Sequence, residues 1–264
     1  MNTRCYALYT HIRIIFVLAL IILIFFGTQE AMTQGYQTPK KVEIVIDPGN
    51  KQNVTGYVQI AYAWGQLFTP PHGLLRGLRN LKEAMIKYTK INTELEDHLI
   101  FSSDKLLQMP FVFVTTKTDF DLTEIEKRNI RKYFDNGGFM LLDNAEPLGD
   151  FSRGGASLKQ MLRDTIPNAR FGPIPNNHPI YHCFFDFVDG PPNGAEIGIS
   201  GSVMSPQRLY LEGVWYKGRL VAIYSDKGYI IKWNDNTNNE PQLKIGVNII
   251  VFALTQEGGI ADIH

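Results

Sequence analysis

Two groups of residues have the types and spacing for chemistry. His178, His182 and Asp186 lie four apart. On a helix that spacing would turn two imidazoles and a carboxylate to one face, a donor set suited to zinc. Pro179 permits a helix to begin there, but Phe184-Phe185 and Phe187-Val188 read as strand or core. The expectation is therefore that the histidines make hydrogen bonds from a loop and that no metal or other cofactor is held. The second group is Asp143 and Asn144, directly after the apolar run Phe139-Met140-Leu141-Leu142. In an open parallel sheet, ligands sit in the crevice beyond the carboxyl ends of the strands. The residues expected there are Tyr62, Trp64, Thr115, Thr116, Asp143 and Asn144. Arg153, on the glycine-rich loop expected over Arg153-Gly154-Gly155, could reach the same rim and hold a carboxylate through two parallel hydrogen bonds. The plainer reading has Asp143 capping a following turn and Arg153 solvated. Trp64 with Pro70-Pro71 suits either an aromatic platform or, the favoured account, packing at a sheet edge. Glu212 and Arg219 are expected to pair across a hairpin.

These residues must be positioned by regular elements. Val42 to Ile46 alternates as a half-buried strand and Asp47-Pro48-Gly49-Asn50 closes it as a turn. A second strand reads Tyr57 to Tyr62. Leu74, Leu78, Leu81, Met85 and Tyr88 recur at helical steps and mark one buried face. Phe111-Val112-Phe113-Val114 and Phe139-Met140-Leu141-Leu142 are continuous apolar runs, as in strands covered on both faces. Between them Thr123-Glu124-Ile125-Glu126 matches a capping box and Asn136-Gly137-Gly138 a helix stop. The unit from 111 to 143 has the size of a strand–helix–strand crossover. Ser157 is expected to cap a short helix bearing Leu158, Met161 and Leu162. Leu209 to Tyr216 and Leu220 to Ser225 flank Lys217-Gly218-Arg219 as a hairpin. Pro241 to Thr255 reads as a last helix with Leu243, Gly246, Val247, Ile250 and Leu254 on one side. The fold class is α/β: a three-layer sandwich with a mostly parallel sheet, a C-terminal β-hairpin and a helix.

Composition narrows the function classes. The 264 residues include 44% apolar and 20% charged residues, with 26 basic and 26 acidic side chains. Such a chain folds to a globular core, and without a basic excess it does not bind nucleic acid by neutralising phosphates. Only Cys5 and Cys183 exist, too few for a zinc-finger pattern or a disulfide framework. Arg4, His11 and Arg13 precede thirteen unbroken apolar residues, Ile14 to Phe26, and small and polar residues follow. That is the layout of a secretory signal. The apolar run would span about 20 Å as a helix, short of the roughly 30 Å hydrocarbon core. The expected organisation is a signal peptide over 1–33, or an uncleaved anchor formed by 14–26. A one-strand extension over 34–56, the main domain over 57–255 and a tail over 256–264 follow. The domain is placed in the periplasm or secreted, or held outside the cytoplasmic membrane by the anchor, and membrane contact is limited to that segment.

Several strings then line up in order: Tyr57 to Tyr62 with Trp64, Pro110-Phe111-Val112-Phe113, Tyr133 to Phe139, Asn177-His178-Pro179-Ile180-Tyr181-His182, Leu211-Glu212-Gly213, Gly218-Arg219-Leu220 and Gly246-Val247-Asn248. Together they resemble the bacterial domain-of-unknown-function 4159 family over about 57–255. The resemblance implies a flavodoxin-like fold similar to class I glutamine amidotransferases, and for some members an extracytoplasmic place beside MoxR-type ATPases. It implies no reaction. An amidotransferase needs a cysteine on a strained strand-to-helix elbow, yet no Gly-x-Cys-x-Gly or Gly-x-Ser-x-Gly occurs, and Cys183 lies between His182 and Phe184. Gly194-Ala195-Glu196-Ile197-Gly198 has the glycine spacing around a glutamate and reads as coincidence. The expected function is a non-catalytic binding module of the cell envelope that takes a protein partner or a small polar ligand. The alternative is a hydrolase using Asp143, His178 and Arg153 or a bound metal.

Overall fold

A computed structural model of the chain describes residues 42–65, 71–96, 98–147, 152–195 and 208–263. The signal segment 1–33, the start of the extension, Pro70 and Glu196-Ile197-Gly198 lie outside the described residues. No described helix is long and apolar enough to cross a membrane.

The two continuous apolar runs become β5 (Phe111–Thr116) and β6 (Phe139–Asn144), with every residue buried. They pair in parallel, in register from Phe111 opposite Phe139 to Thr116 opposite Asn144. The capping box and the glycine stop set the crossover helix between them, α2 (Glu124–Asp135). Thr123 Oγ1 accepts from Glu126 N at 3.4 Å, and the Glu126 carboxylate accepts from Thr123 N at 2.8 Å. Beyond the helix Gly137 takes φ +93° and Gly138 N returns to Tyr133 O at 2.9 Å, the left-handed exit that glycine allows at little cost.

The sheet continues on both sides. The strand expected over 57–62 is longer, β2 (Val54–Trp64), because it is a hub. It pairs antiparallel with β1 (Glu43–Ile46) and parallel with β3 (Lys90–Leu95), β4 (Leu99–Ile100) and β5. The hairpin forms as β8 (Glu212–Tyr216) and β9 (Arg219–Ser225). Lys217 and Gly218 both have positive φ, 51° and 82°, so the turn is the two-residue kind whose twist suits a hairpin, and Arg219 already belongs to the strand. Strand β9 lies parallel to β6. Strands β7 (Arg170–Pro173) and β10 (Asp262–Ile263) complete the order β10-β1-β2-β5-β6-β9-β8-β7, with β3 and β4 also on β2.

Helices cover both faces and make three layers. On one face α1 (Leu74–Tyr88), the short α4 (Tyr229–Asn234) and α5 (Glu240–Thr255) pack over Phe111, Phe113, Leu141 and Ile223. On the other, α2 and α3 (Arg153–Thr165) pack over Val112, Val114, Met140 and Leu142. The α1 stripe of Leu74, Leu78, Leu81 and Met85 is buried as expected. Helix α5 differs from the one-sided expectation: Ile245 to Val251 is buried on every face. A loop carrying Ile180, Tyr181 and Phe184 joins the same core over it, so no face remains for water. Helix α3 starts earlier than Ser157. Its cap is Ser152, whose hydroxyl accepts from Gly155 N at 3.1 Å, and Ser157 instead accepts from Phe120 N at 3.3 Å.

Tyr133 locks the crossover to the sheet. Its hydroxyl donates to Phe139 O at 2.7 Å and accepts from Phe139 N at 2.9 Å, with the ring fully buried. A Cβ on Gly138 would lie 2.3 Å from that ring, so only glycine fits beneath it. Replacing Tyr133 with Phe leaves a buried N–H and C=O without partners. We expect Tyr133→Phe to lower stability by about 1–3 kcal/mol, read as a lower urea midpoint with an unchanged slope.

Candidate functional site

The carboxyl ends of β5, β6 and β9 bring polar residues into register. Thr115, Asp143 and Ser225 stand side by side on the face of α4 and α5. Thr116 and Asn144, one residue on, face α3 by strand alternation. All five are buried. Asp143 Oδ2 accepts from Ile230 N at 2.9 Å, near the start of α4, while its Oδ1 and the Thr115 hydroxyl have no partner. Burial pushes the Asp143 carboxyl up to about 7, and donation from Ile230 offsets this only in part. Asn144 Oδ1 accepts from Ser152 Oγ at 2.9 Å and Glu146 N at 3.1 Å, while its Nδ2 is unpartnered. Thr116 Oγ1 is spent on its own turn, accepting from Thr118 N and donating to Thr118 O. These side chains shape the strand ends from within and do not open onto a ligand.

The open space lies beside them. A cavity of about 460 Å³ is lined by Ser152, Gly155, Lys159, Arg163, Arg208, Tyr224 and Asp226. Two glycines let the first turn of α3 approach the strands. A Cβ on Gly154 would lie 2.9 Å from Thr116 O, and one on Gly155 2.6 Å from the Tyr224 hydroxyl and 3.1 Å from Asn144 Nδ2. The helix therefore presents its N-terminal end, with its partial positive charge, to the cavity. Lys159 Nζ pairs with Glu212 at 2.8 Å and lies 4.4 Å from the Tyr224 ring centre. Arg208 reaches Asp226 at 3.1 Å and Glu212 at 3.5 Å. Asp226 Oδ1 is buried without a partner, and burial raises the carboxyl above its ordinary range. Below it the buried Lys227 donates to Arg208 O at 2.5 Å. Three cations over two carboxylates and a helix N-terminus favour a small polar ligand with an anionic group.

The other residues singled out from the sequence go elsewhere. Arg153 is 81% exposed, with Asp119 at 3.8 Å, because its stretch is the first helical turn and not a loop. Trp64 stacks on His98, ring centres 4.7 Å apart and planes 2° apart, with Tyr62 tilted against it at 5.4 Å. His178 caps the three-residue 3₁₀ turn Pro179–Tyr181, its Nδ1 accepting from Ile180 N at 3.2 Å. It lines a different cavity, with Gly137, Gly218 and Arg219 at the amino ends of β6 and β9, so it shares no site with Asp143. His182 and Asp186 brace a loop: Nε2 contacts Asn176 O at 2.8 Å, Nδ1 contacts Asp186 at 3.3 Å, and Asp186 also takes Lys51 at 2.7 Å. The chain leaves the 3₁₀ turn after Tyr181, so His182 and Asp186 meet but His178 does not join them. Among the described residues no cluster of three His, Cys, Asp or Glu is placed to hold a metal. Cys183 Sγ donates to Asn248 O at 3.3 Å and burial raises its thiol to about 12, leaving it protonated and unreactive. Glu212 and Arg219 do not pair. Glu212 faces Tyr224 and turns to Lys159, while Arg219 donates to Phe134 O and Gly138 O.

Sequence reasoning passed over Lys159, Arg163, Arg208, Tyr224 and Asp226. A faint signal existed for some: Lys159 and Arg163 are four apart on a helix, and Tyr224 and Asp226 flank the end of a strand. Arg208 carried none. The family model described as Domain of unknown function (DUF4159) matches residues 72–254. No curated protein matches the chain.

The raised Asp143 carboxyl ties stability to pH. In the unfolded chain it titrates near 3.8, in the folded chain near 7. The folded state thus holds its proton more tightly. Its contribution is complete below about pH 4, falls as pH rises toward 7, and is constant above that. Asp143→Asn removes the charge and keeps an acceptor for Ile230 N. We expect the variant to exceed the parent in stability at pH 8 by about 1–4 kcal/mol and to converge with it near pH 4, as followed by thermal melting across pH.

Proposed function

This chain belongs to the DUF4159 family, and from that premise we propose that it is a non-catalytic binding module of the cell envelope. Its ligand is a small polar molecule with at least one anionic group, bound at the carboxyl ends of the parallel strands. The observation that carries this reading is the cavity over the start of α3, where Lys159, Arg163 and Arg208 converge. The three-layer fold supports a relation to the class I glutamine amidotransferases, whose chemistry would need an activated thiol. The half-buried, protonated Cys183 argues against that chemistry here. The separation of His178 from Asp143 argues against the hydrolase constellation. The basic head and apolar run at the N-terminus support export, with the domain outside the cytoplasmic membrane.

Arg163 is the variant of choice, because it is exposed and its guanidinium lies over Phe171, 5.6 Å from the ring centre. In a thermal-shift screen of the full-length chain against small anions (inorganic phosphate, glutamate, citrate), at least one should raise the melting temperature in a saturable manner. Arg163→Glu should weaken that effect about tenfold or more without lowering the ligand-free melting temperature. A flat screen, together with an empty pull-down from envelope extracts, would overturn the reading. Intact mass of the exported protein separates a cleaved signal from a retained anchor.

A further inference from the structure

The cavity over the start of α3 has a chemistry beyond its surplus of cations. Lys159, Arg163 and Arg208 line it against one carboxylate, Asp226. Glu212, outside the lining, pairs with Lys159 at 2.8 Å. Three cations against two carboxylates leave one positive charge, so a ligand with a single negative charge is matched. The rest of the described lining is hydrophilic. Apart from the Tyr224 ring, which already carries the Lys159 ammonium at 4.4 Å, its largest apolar side chain is that of Ala156. A fatty or aromatic body would find little to pack on.

The neutral polar groups include both donors and acceptors. Tyr224 is only 5% exposed, yet its hydroxyl has no hydrogen-bond partner, and, unlike Asp226 Oδ1 in the same cavity, its oxygen is not sealed from solvent. It stands at the Gly155 wall, 2.6 Å from where a Cβ on that glycine would lie. Burial and the nearby carboxylates of Asp226, Asp143 and Glu212 push its titration well above the ordinary tyrosine value, so the proton stays on and the group donates. Ser157 Oγ accepts from Phe120 N at 3.3 Å and has its own proton unspent. Gln160 donates to Asp164 through Nε2 at 2.7 Å, which leaves its carbonyl oxygen as an acceptor. Hydroxyl groups both donate and accept, and a wall of this kind suits several of them. We propose that the ligand of this cavity is a polyhydroxylated monocarboxylate, a sugar acid, and that Tyr224 is the residue that selects for its hydroxyls. The carboxylate meets Arg163 at the exposed rim, and a ligand hydroxyl accepts from the Tyr224 hydroxyl. This rests on the anion-binding reading of the same cavity and names the class of anion. An analogue without hydroxyls would desolvate the Tyr224 O–H and give it no acceptor in return.

Three six-carbon probes separate the contributions. Gluconate has the carboxylate and the hydroxyls, hexanoate the carboxylate alone, and sorbitol the hydroxyls alone. In calorimetric titrations of the full-length chain, gluconate should bind saturably, about fivefold or more tighter than hexanoate and about tenfold or more tighter than sorbitol. Tyr224→Phe breaks no internal hydrogen bond, so the variant should keep the parent melting temperature. It should weaken gluconate about fivefold and leave hexanoate unchanged. Arg163→Glu should weaken gluconate and hexanoate alike. If neither gluconate nor any anion of the thermal-shift screen binds, the anion site and the sugar-acid assignment fall together. If anions bind in a manner that depends on Arg163, the site stands. The assignment alone then falls if gluconate does not bind, if hexanoate or sorbitol equals it, or if Tyr224→Phe binds it at full strength.

Discussion

The structure depends on four parallel neighbours, β2, β5, β6 and β9, of which β5 and β6 are buried along their whole length. With helices over both faces, water cannot satisfy their backbone, so each N–H and C=O must find its partner within the ladder. This constraint fixes the register, and the register in turn fixes which polar residues meet where the ladder ends. Thr115, Asp143 and Ser225 are brought together in this way, as are Thr116 and Asn144 on the opposite face. Polar side chains are tolerated here because the adjoining loops and helix ends supply N–H groups, as Ile230 does for Asp143.

The strings that carry the family resemblance prove to be packing contacts made with one another. Tyr133 binds the backbone of Phe139 and covers Gly138, and Arg219 donates to Gly138 O and Phe134 O. Gly246 admits Leu81 and Trp233 against α5. Asn248 holds the histidine-bearing loop onto α5, with Oδ1 accepting from Phe185 N at 2.8 Å and Nδ2 donating to Ile180 O and Phe185 O. Such residues identify a scaffold without identifying a reaction. The cavity at the carboxyl ends is instead lined largely by residues outside those strings, from α3 and from the chain on either side of the hairpin.

The elements were legible where one period dominates. The stripe of α1, the capping box of α2 and the twin apolar runs of β5 and β6 each state their structure locally. Strands β3 and β4 were not legible. Lys90-Ile91-Asn92-Thr93 buries only two side chains, Ile91 and Thr93, and becomes a strand because β2 offers it a free edge. The six residues of α4 are too few to show a period. The start of α3 was hidden by Gly154 and Gly155, poor helix formers in isolation, which are required here because Thr116 O and Tyr224 leave no room for a Cβ.

By itself, then, the sequence determined the layers, the parallel pair and the residues that end it, since burial and capping act over a few neighbouring residues. The tertiary structure alone decided which side chains share a space. It parted His178 from Asp143, took Arg153 out of the crevice, turned Glu212 toward Lys159, and left the Tyr224 hydroxyl without a partner. Contacts of this kind join residues dozens of positions apart, and strand register and close helix approach select them. Neither can be read from spacing along the chain.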